Sequence, residues 1–242
     1  MSDTSPAIEL EAVRYAWPGK PLLLDIERLV IARGERLFLR GPSGSGKSTL
    51  LGLLGGVLTP AAGLVKVLGA DLARMGASER DRYRGDHIGF VFQMFNLIPY
   101  LSVIENVLLP ARFSRRRAER AARHGPPAAE AVRLLAALGL GDSALHARGV
   151  TELSIGQQQR VAAARALFGA PELLIADEPT SALDHDSRRQ FLELLMVECR
   201  EKGSTLVFVS HDTTLGSLFD RDLSLSELNR AAQSERAESL AA

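Results

Sequence analysis

Nine consecutive residues, Gly41-Pro42-Ser43-Gly44-Ser45-Gly46-Lys47-Ser48-Thr49, fit the pattern G-x-x-x-x-G-K-[ST]. A run of this kind can hold a polyphosphate. Its glycines let successive backbone N–H groups turn inward around phosphate oxygens, while Lys47 reaches the β- and γ-phosphates and Ser48 can bind Mg²⁺. A helix that starts here adds the positive end of its dipole. A glycine-rich turn without a ligand is the bland alternative. The strand pattern before the loop and the helical pattern after it argue against that alternative.

A second set of chemical groups lies at Leu173-Leu174-Ile175-Ala176-Asp177-Glu178, an apolar strand that ends in two carboxylates. The carboxyl edge of a parallel sheet is where ligands bind. Asp177 suits the coordination shell of Mg²⁺, and Glu178, pointing elsewhere, can polarise a water for in-line attack on a γ-phosphate. Alone, two acids at a strand end are equally well read as surface residues. Paired with a phosphate loop they read as the hydrolytic half of the same site.

Elements that could position these groups follow from the patterning. Residues 8–17 and 22–31 read as extended segments around a Trp17-Pro18-Gly19 turn, which points to an antiparallel N-terminal β subdomain. Residues 36–40 form a short strand before the loop, and 49–58 a helix ended by Thr59-Pro60. Further strands are expected at 64–68, 87–92, 173–176 and 205–209. Between 94 and about 166 the pattern turns helical, punctuated by Pro99, Gly125, Pro126 and Pro127, with a clear helix over 130–138 ended by Gly139. A β-α-β order interrupted once implies an α/β fold with a parallel-sheet core and an inserted helical subdomain. The expected organisation is one domain over 1–223 and a low-complexity tail over 224–242 that adds little to the core.

Composition narrows the function classes. The chain has 242 residues, with 29 basic and 29 acidic side chains. Without a basic excess, a nucleic-acid partner is not expected. One cysteine, Cys199, rules out an internal disulfide, and its place in a helix-like apolar run reads as a buried small side chain. No apolar run approaches the roughly 20 residues that span a bilayer, so membrane work needs a partner. Arg112, Arg115, Arg116, Arg117, Arg120 and Arg123 cluster locally. They read either as a solvated helix face or as a contact for anionic headgroups or an acidic partner.

Further motifs carry a resemblance that covers nearly the whole chain. Leu153-Ser154-Ile155-Gly156-Gln157-Gln158-Gln159-Arg160 resembles the L-S-G-G-Q signature of ABC transporter nucleotide-binding subunits, a branch of the P-loop NTPases. Gln93 in Val91-Phe92-Gln93 resembles their Q-loop, Ser181-Ala182-Leu183-Asp184 their D-loop, and Ser210-His211-Asp212 their switch histidine. The resemblance implies ATP and Mg²⁺ as cofactors and a head-to-tail homodimer with ATP at the interface. In such a dimer Ser154, Gly156 and Gln157 face the partner's γ-phosphate at a helix N-terminus. Gln93 would bind Mg²⁺ or the attacking water, and His211 would orient the transition state near Glu178. Trp17 would stack on adenine, in preference to Tyr15. Ile155 stands where the family usually has glycine.

The stretch Gly89-Phe90-Val91-Phe92-Gln93-Met94-Phe95-Asn96-Leu97-Ile98-Pro99, with Ser102-Val103-Ile104-Glu105-Asn106-Val107, is similar to the branch serving lipoprotein release and macrolide export. That implies an ATPase at the cytoplasmic face of the membrane, powering export or mechanotransmission through a separate integral membrane permease. A regulatory ATPase driving a cell-wall or division complex without moving a substrate is the alternative. A soluble ABC ATPase of DNA repair or translation would need a long inserted coiled coil or two cassettes, and neither pattern is present. The same surroundings make residues 94–166, with Phe95, Leu97, Ile98 and Tyr100, the expected permease dock.

Overall fold

The computed structural model of the protein describes residues 5–181 and 183–231. The chain divides into two compact units, Met1–Asp81 with Val207–Ala242, and Arg82–Leu206.

The first unit opens with β1 (Ile8–Ala16) and β2 (Leu22–Ile31), followed by β3 (Arg36–Arg40), α1 (Lys47–Leu54), β4 (Ala62–Val67) and β5 (Ala70–Asp71). Strands β2-β1-β4-β5 form the antiparallel sheet expected at the N-terminus. β1 carries a bulge: Ala12 has φ 49, and the β1–β4 register shifts between Glu11 and Arg14. Before it Ile8 and Leu10 are buried; after it Val13 and Tyr15 are. One extra residue has swapped which parity faces the core. α1 is shorter than the pattern suggested. It stops at Gly55-Gly56, where Gly56 has φ 66 and the N–H groups of Val57 and Leu58 turn back to the carbonyl of Gly52.

The chain passes to the second unit through α2 (Ala77–His87), a helix with no buried residue and so no apolar period to read from sequence. There follow β6 (Ile88–Val91), α3 (Val103–Phe113), α4 (Arg115–Ala121), α5 (Pro127–Ala137), α6 (Ser143–His146), α7 (Ile155–Leu167), β7 (Leu173–Asp177) and α8 (His185–Lys202). β6 and β7 pair in parallel, Ile88 opposite Leu173 through Val91 opposite Ala176, and β7 neighbours the start of β8 (Thr205–Val209). α7 packs against α3, α5, α8 and β6. Gly89 makes the last contact possible, because a Cβ there would collide with the carbonyl oxygen of Ala166.

The remainder of β8 belongs to the first unit and neighbours β3, which pairs in parallel with β9 (Arg221–Ser224). Phe38, Phe208 and Phe219 cluster there, centroids 5.2–6.2 Å apart. The short α9 (Leu225–Leu228) follows. Contrary to the expectation for the tail, Leu225 and Asn229 are buried. The Asn229 amide accepts from Asp25 N and donates to Leu23 O, extending the edge of β2. Residues 232–242 of that tail lie outside the described residues.

The basic cluster resolves into individual tasks. Arg117 is buried and donates to the carbonyls of Phe168, Arg165 and Ala166, closing the C-terminal end of α7. Burial, then the neighbouring Arg120, pushes its guanidinium down to about 10. Arg116 and Arg120 share Glu172, and Arg115 pairs with Glu119. Burial pushes the Glu172 carboxyl up, and the hydrogen bonds and charges of Arg120 and His87 together more than reverse it, holding the group below the usual carboxylate range. Arg123 and His124 line a cleft of about 360 Å³ that also holds Glu172, Glu201, Arg120 and Lys202. Charges of both signs therefore meet in that cleft. Cys199 is buried, as its apolar run implied.

Candidate functional site

In the first unit β3 delivers the chain into the glycine-rich loop, and α1 begins at Lys47. The loop turns through Gly44 (φ 79) and Gly46 (φ 96), left-handed geometry that glycine adopts at no steric cost. A Cβ on Gly46 would stand 2.8 Å from Leu24 Cδ2, so β2 presses on the loop from behind. Lys47 is buried, and its Nζ donates to the carbonyls of Gly41 and Pro42 at 2.8 and 2.9 Å. Ser45 Oγ is buried without a hydrogen-bond partner. Ser48 is exposed and Thr49 buried. The first four N–H groups of α1 have no acceptor within the helix. A cation folded over its own loop, an orphaned hydroxyl and a helix N-terminus together fit a phosphate chain.

His211 follows β8 and is exposed. With Arg40, Gly41, Pro42, Thr213, Ser224 and Glu227 it lines a cleft of about 440 Å³. The motif histidine and the start of the phosphate loop thus share one cavity of this unit. Asp212 caps the following turn, accepting from Thr214 N and Oγ1, which fixes the backbone beside His211. Trp17 stands just beyond β1 and is 45% exposed, its ring edge-on to buried Tyr15 at 5.3 Å. Of the two aromatic candidates, then, Trp17 has a face open to a ligand.

In the second unit β6 ends at Val91, and Gln93 lies exposed in the turn that follows. Beyond Met94, the consecutive residues Phe95 and Asn96, neither of them glycine, have φ 59 and 48. Such positions cost of order 1–3 kcal/mol each and persist only when the surroundings enforce them. Arg165 of α7 donates to the carbonyls of both, at 2.6 and 2.7 Å. Burial lowers its pKa, yet a guanidinium remains charged. The fully buried Asn106 then fixes the return: its side-chain oxygen accepts from Ile98 N at 2.8 Å, and its amide donates to the carbonyls of Ile98, Leu101 and Ser102.

β7 carries Asp177 as its last residue, with Glu178 immediately after, both partly buried. Glu178 is also left-handed, φ 44, so its side chain leaves the line of the strand. Ser181 and Leu183 turn back onto the carbonyls of Glu178 and Thr180. Asp184 caps α8 through Ser187, whose backbone N–H and hydroxyl hold the carboxyl below its ordinary range. Ala182 of that loop lies outside the described residues.

Ser154 caps α7. Its hydroxyl accepts from Gln157 N at 3.3 Å, and Gln157 Oε1 accepts from Ser154 N at 2.9 Å. The cap occupies an acceptor of the hydroxyl and leaves its proton free to be donated. Ile155 is 54% exposed, so the residue departing from the signature points to solvent. A Cβ on Gly156 would meet Leu183 Cδ2 at 3.3 Å, which brings the loop after Glu178 against the signature helix. Of the remaining histidines, His146 is buried on the carbonyl of Leu140, and His87 stacks on Tyr83.

Sequence reading overlooked Arg165 and Asn106 as organisers of the turn after Gln93. Asn106 carried a signal, being a polar residue on the buried stripe of Val103 and Val107. Gly89 carried one too, as a lone glycine in an apolar strand. Arg165, an arginine within the alanine-rich run Val161–Leu167, is conspicuous only once that helix is known to be buried.

The residues expected from the sequence to hold a metal are Ser48 in the first unit and Gln93 and Asp177 in the second, and each offers an oxygen donor. An all-oxygen set suits Mg²⁺, which keeps water and phosphate ligands besides one or two carboxylates. Among the described residues no group of three or more His, Cys, Asp or Glu could hold a metal by itself. No helix among them is long and apolar enough to cross a membrane.

The sequence model of one protein family, described as ABC transporter, matches residues 24–181. Over 225 residues the chain is 42% identical to the lipoprotein-releasing system ATP-binding protein LolD of Anaeromyxobacter dehalogenans, covering 91% of each. It is 39% identical over 227 residues to the macrolide export ATP-binding/permease protein MacB of Marinobacter nauticus, spanning 92% of this chain and 34% of that one. Among solved structures it is similar to a dimeric, post-hydrolysis state of the ATP-binding cassette MJ0796 bound to ADP and Pi. There the TM-score is 0.75 at 34% identity, over 93% of this chain and 95% of the other.

Proposed function

The chain belongs to the ABC transporter family, as an ATP-binding subunit and ATPase, and from that premise we propose that it powers export or transmitted mechanical work through a separate membrane permease. The observation that carries the reading is the phosphate loop, with Lys47 folded onto Gly41 and Pro42 and Ser45 Oγ buried without a partner. Phosphate oxygens take over the lysine and the loop N–H groups, and Trp17 offers its exposed face to the base. Ser48, Gln93 and Asp177 are the residues assigned to hold Mg²⁺, which when bound neutralises charge on the β- and γ-phosphates. Glu178 takes a proton from the attacking water, and His211 orients the γ-phosphate. Little covalent chemistry is asked of the protein, because phosphoryl transfer is accelerated mainly by positioning and charge.

Ser154, Gly156 and Gln157 serve the nucleotide of a second copy, in a head-to-tail homodimer at the cytoplasmic face of the membrane. The solved relative MJ0796 is dimeric, which supports the pairing. The proton left on the Ser154 hydroxyl by its cap suits an anion arriving at the N-terminus of α7. For the permease dock, Met94 and Tyr100 are the exposed candidates, at 80% and 85%. Phe95, Leu97 and Ile98 are partly buried and belong more to the unit itself.

The test is Glu178→Gln. It keeps wild-type affinity for ATP, slows turnover by about a thousandfold, and shifts from monomer to dimer in gel filtration with Mg-ATP. Turnover at the wild-type rate would overturn the assignment of the base.

A further inference from the structure

α7 touches two of the motifs assigned to ATP, one at each end. At its N-terminus Ser154 forms the cap. About three turns further on, Arg165 donates to Phe95 and Asn96 just beyond Gln93. The two accepting carbonyls belong to consecutive left-handed residues with φ 59 and 48, neither of them glycine. That conformation lacks local support beyond the turn's own hydrogen bonds, Phe95 N to Phe92 O and Asn96 N to Met94 O. A guanidinium presents two N–H groups in a rigid planar fork, so one side chain holds both carbonyls in a set geometry, which the single rotating ammonium of a lysine does not impose. The helix end that carries Arg165 is itself fixed. Arg117 closes its last carbonyls, and Gly89 lets β6 lie directly beneath Ala166.

We propose that Arg165 is a positioning residue that couples the two ATP sites of a homodimer by tying the turn after Gln93 to the helix that presents Ser154. The inference rests on the reading given above for Gln93 and Ser154. Under that reading Gln93 meets the nucleotide of its own chain, while Ser154 meets the nucleotide of the partner. The turn reports occupancy of one site, and α7, a short helix clamped at its far end, carries the change to the other. A ligand shifts such an equilibrium only through contacts that differ between the states, and the Arg165 fork is where the turn and α7 share them.

The experiment uses the full chain. Arg165→Lys and Arg165→Ala are compared with Arg133→Ala, which removes an arginine of the same unit that pairs with Glu130 and Glu198 away from the turn. Measured are the ATP dissociation constant, kcat, thermal unfolding and, in the Glu178→Gln background, the ATP concentration at which dimer forms. For Arg165→Lys the dissociation constant should stay within about twofold, while kcat falls and the ATP needed for dimer rises, each about tenfold. Arg133→Ala should unfold at a lower temperature with kcat and dimer formation as in the wild type. If Arg165→Ala fails to fold, the lysine variant alone decides. Wild-type kcat and dimer formation in folded Arg165→Lys would overturn the inference. So would losses that only follow its folded fraction, since a purely structural role predicts that. Failure of the underlying reading looks different, because Gln93→Ala and Ser154→Arg would then also turn over at the wild-type rate.

Discussion

Two tight turns, one in each unit, follow parallel strands and enter left-handed backbone by opposite means. After β3 the phosphate loop uses Gly44 and Gly46 at φ 79 and 96. After β6 the turn beyond Gln93 uses Phe95 and Asn96 at φ 59 and 48 and relies on Arg165 to hold them. In the first, the local residues themselves permit the geometry at no steric cost. In the second, it depends on a helix some 70 residues away in sequence. A turn held from outside is tied to the position of its holder, whereas a turn made of glycine needs no such holder to reach positive φ. The contrast suits the roles assigned to them: the phosphate loop must be ready for ATP, and the Gln93 turn must register its arrival.

Substitutions can break or sharpen this contrast. Gly46→Val should have the larger effect. A β-branched side chain at φ 96, aimed at Leu24 Cδ2, forces the loop to shift at a cost of about 3 kcal/mol, or about a hundredfold in ATP affinity. Equilibrium titration with a fluorescent ATP analogue reads this directly, and unchanged affinity would mean that the loop is not defined by its glycines. Asn96→Ala should do much less. Alanine adopts the left-handed region about 1 kcal/mol less readily than asparagine, but the Arg165 fork remains. Urea unfolding should show that loss of stability, with ATP affinity unchanged. A loss of ATP affinity as large as that of Gly46→Val would erase the distinction between the two turns.

The same contrast explains how far the sequence could be read. Residues 41–49 announce themselves because glycine, lysine and serine each do one local job. The ends of β6, β7 and β8 were legible from apolar runs that stop at a polar residue, and β8 falls on residues 205–209 as the pattern implied. The antiparallel sheet was legible too, although not the bulge at Ala12, since alanine gives no warning of a positive φ. What the sequence hid were side chains acting at a distance. Arg117, Arg116 and Arg120 looked like one basic face, yet Arg117 closes the end of α7 while Arg116 and Arg120 converge on Glu172. Arg165 and Asn106 do their work on carbonyls that no spacing rule links to them. Leu225 and Asn229 looked like the start of a tail, yet both are buried, and two hydrogen bonds of the Asn229 amide to the β2 backbone anchor this segment.

The central claim is that two copies of this chain build each hydrolytic site, one giving the phosphate loop and the other Ser154. The measurement that tests it most directly is ATP turnover in mixed dimers of wild-type chain and Ser154→Arg, assembled at known ratios. The isolated variant should bind ATP as tightly as the wild type, because the signature does not serve its own chain's nucleotide, and each mixed dimer should lose one of its two sites. If Ser154→Arg abolishes ATP binding by the monomer, or if mixed dimers turn over at the full wild-type rate, the division of the site between two copies is wrong.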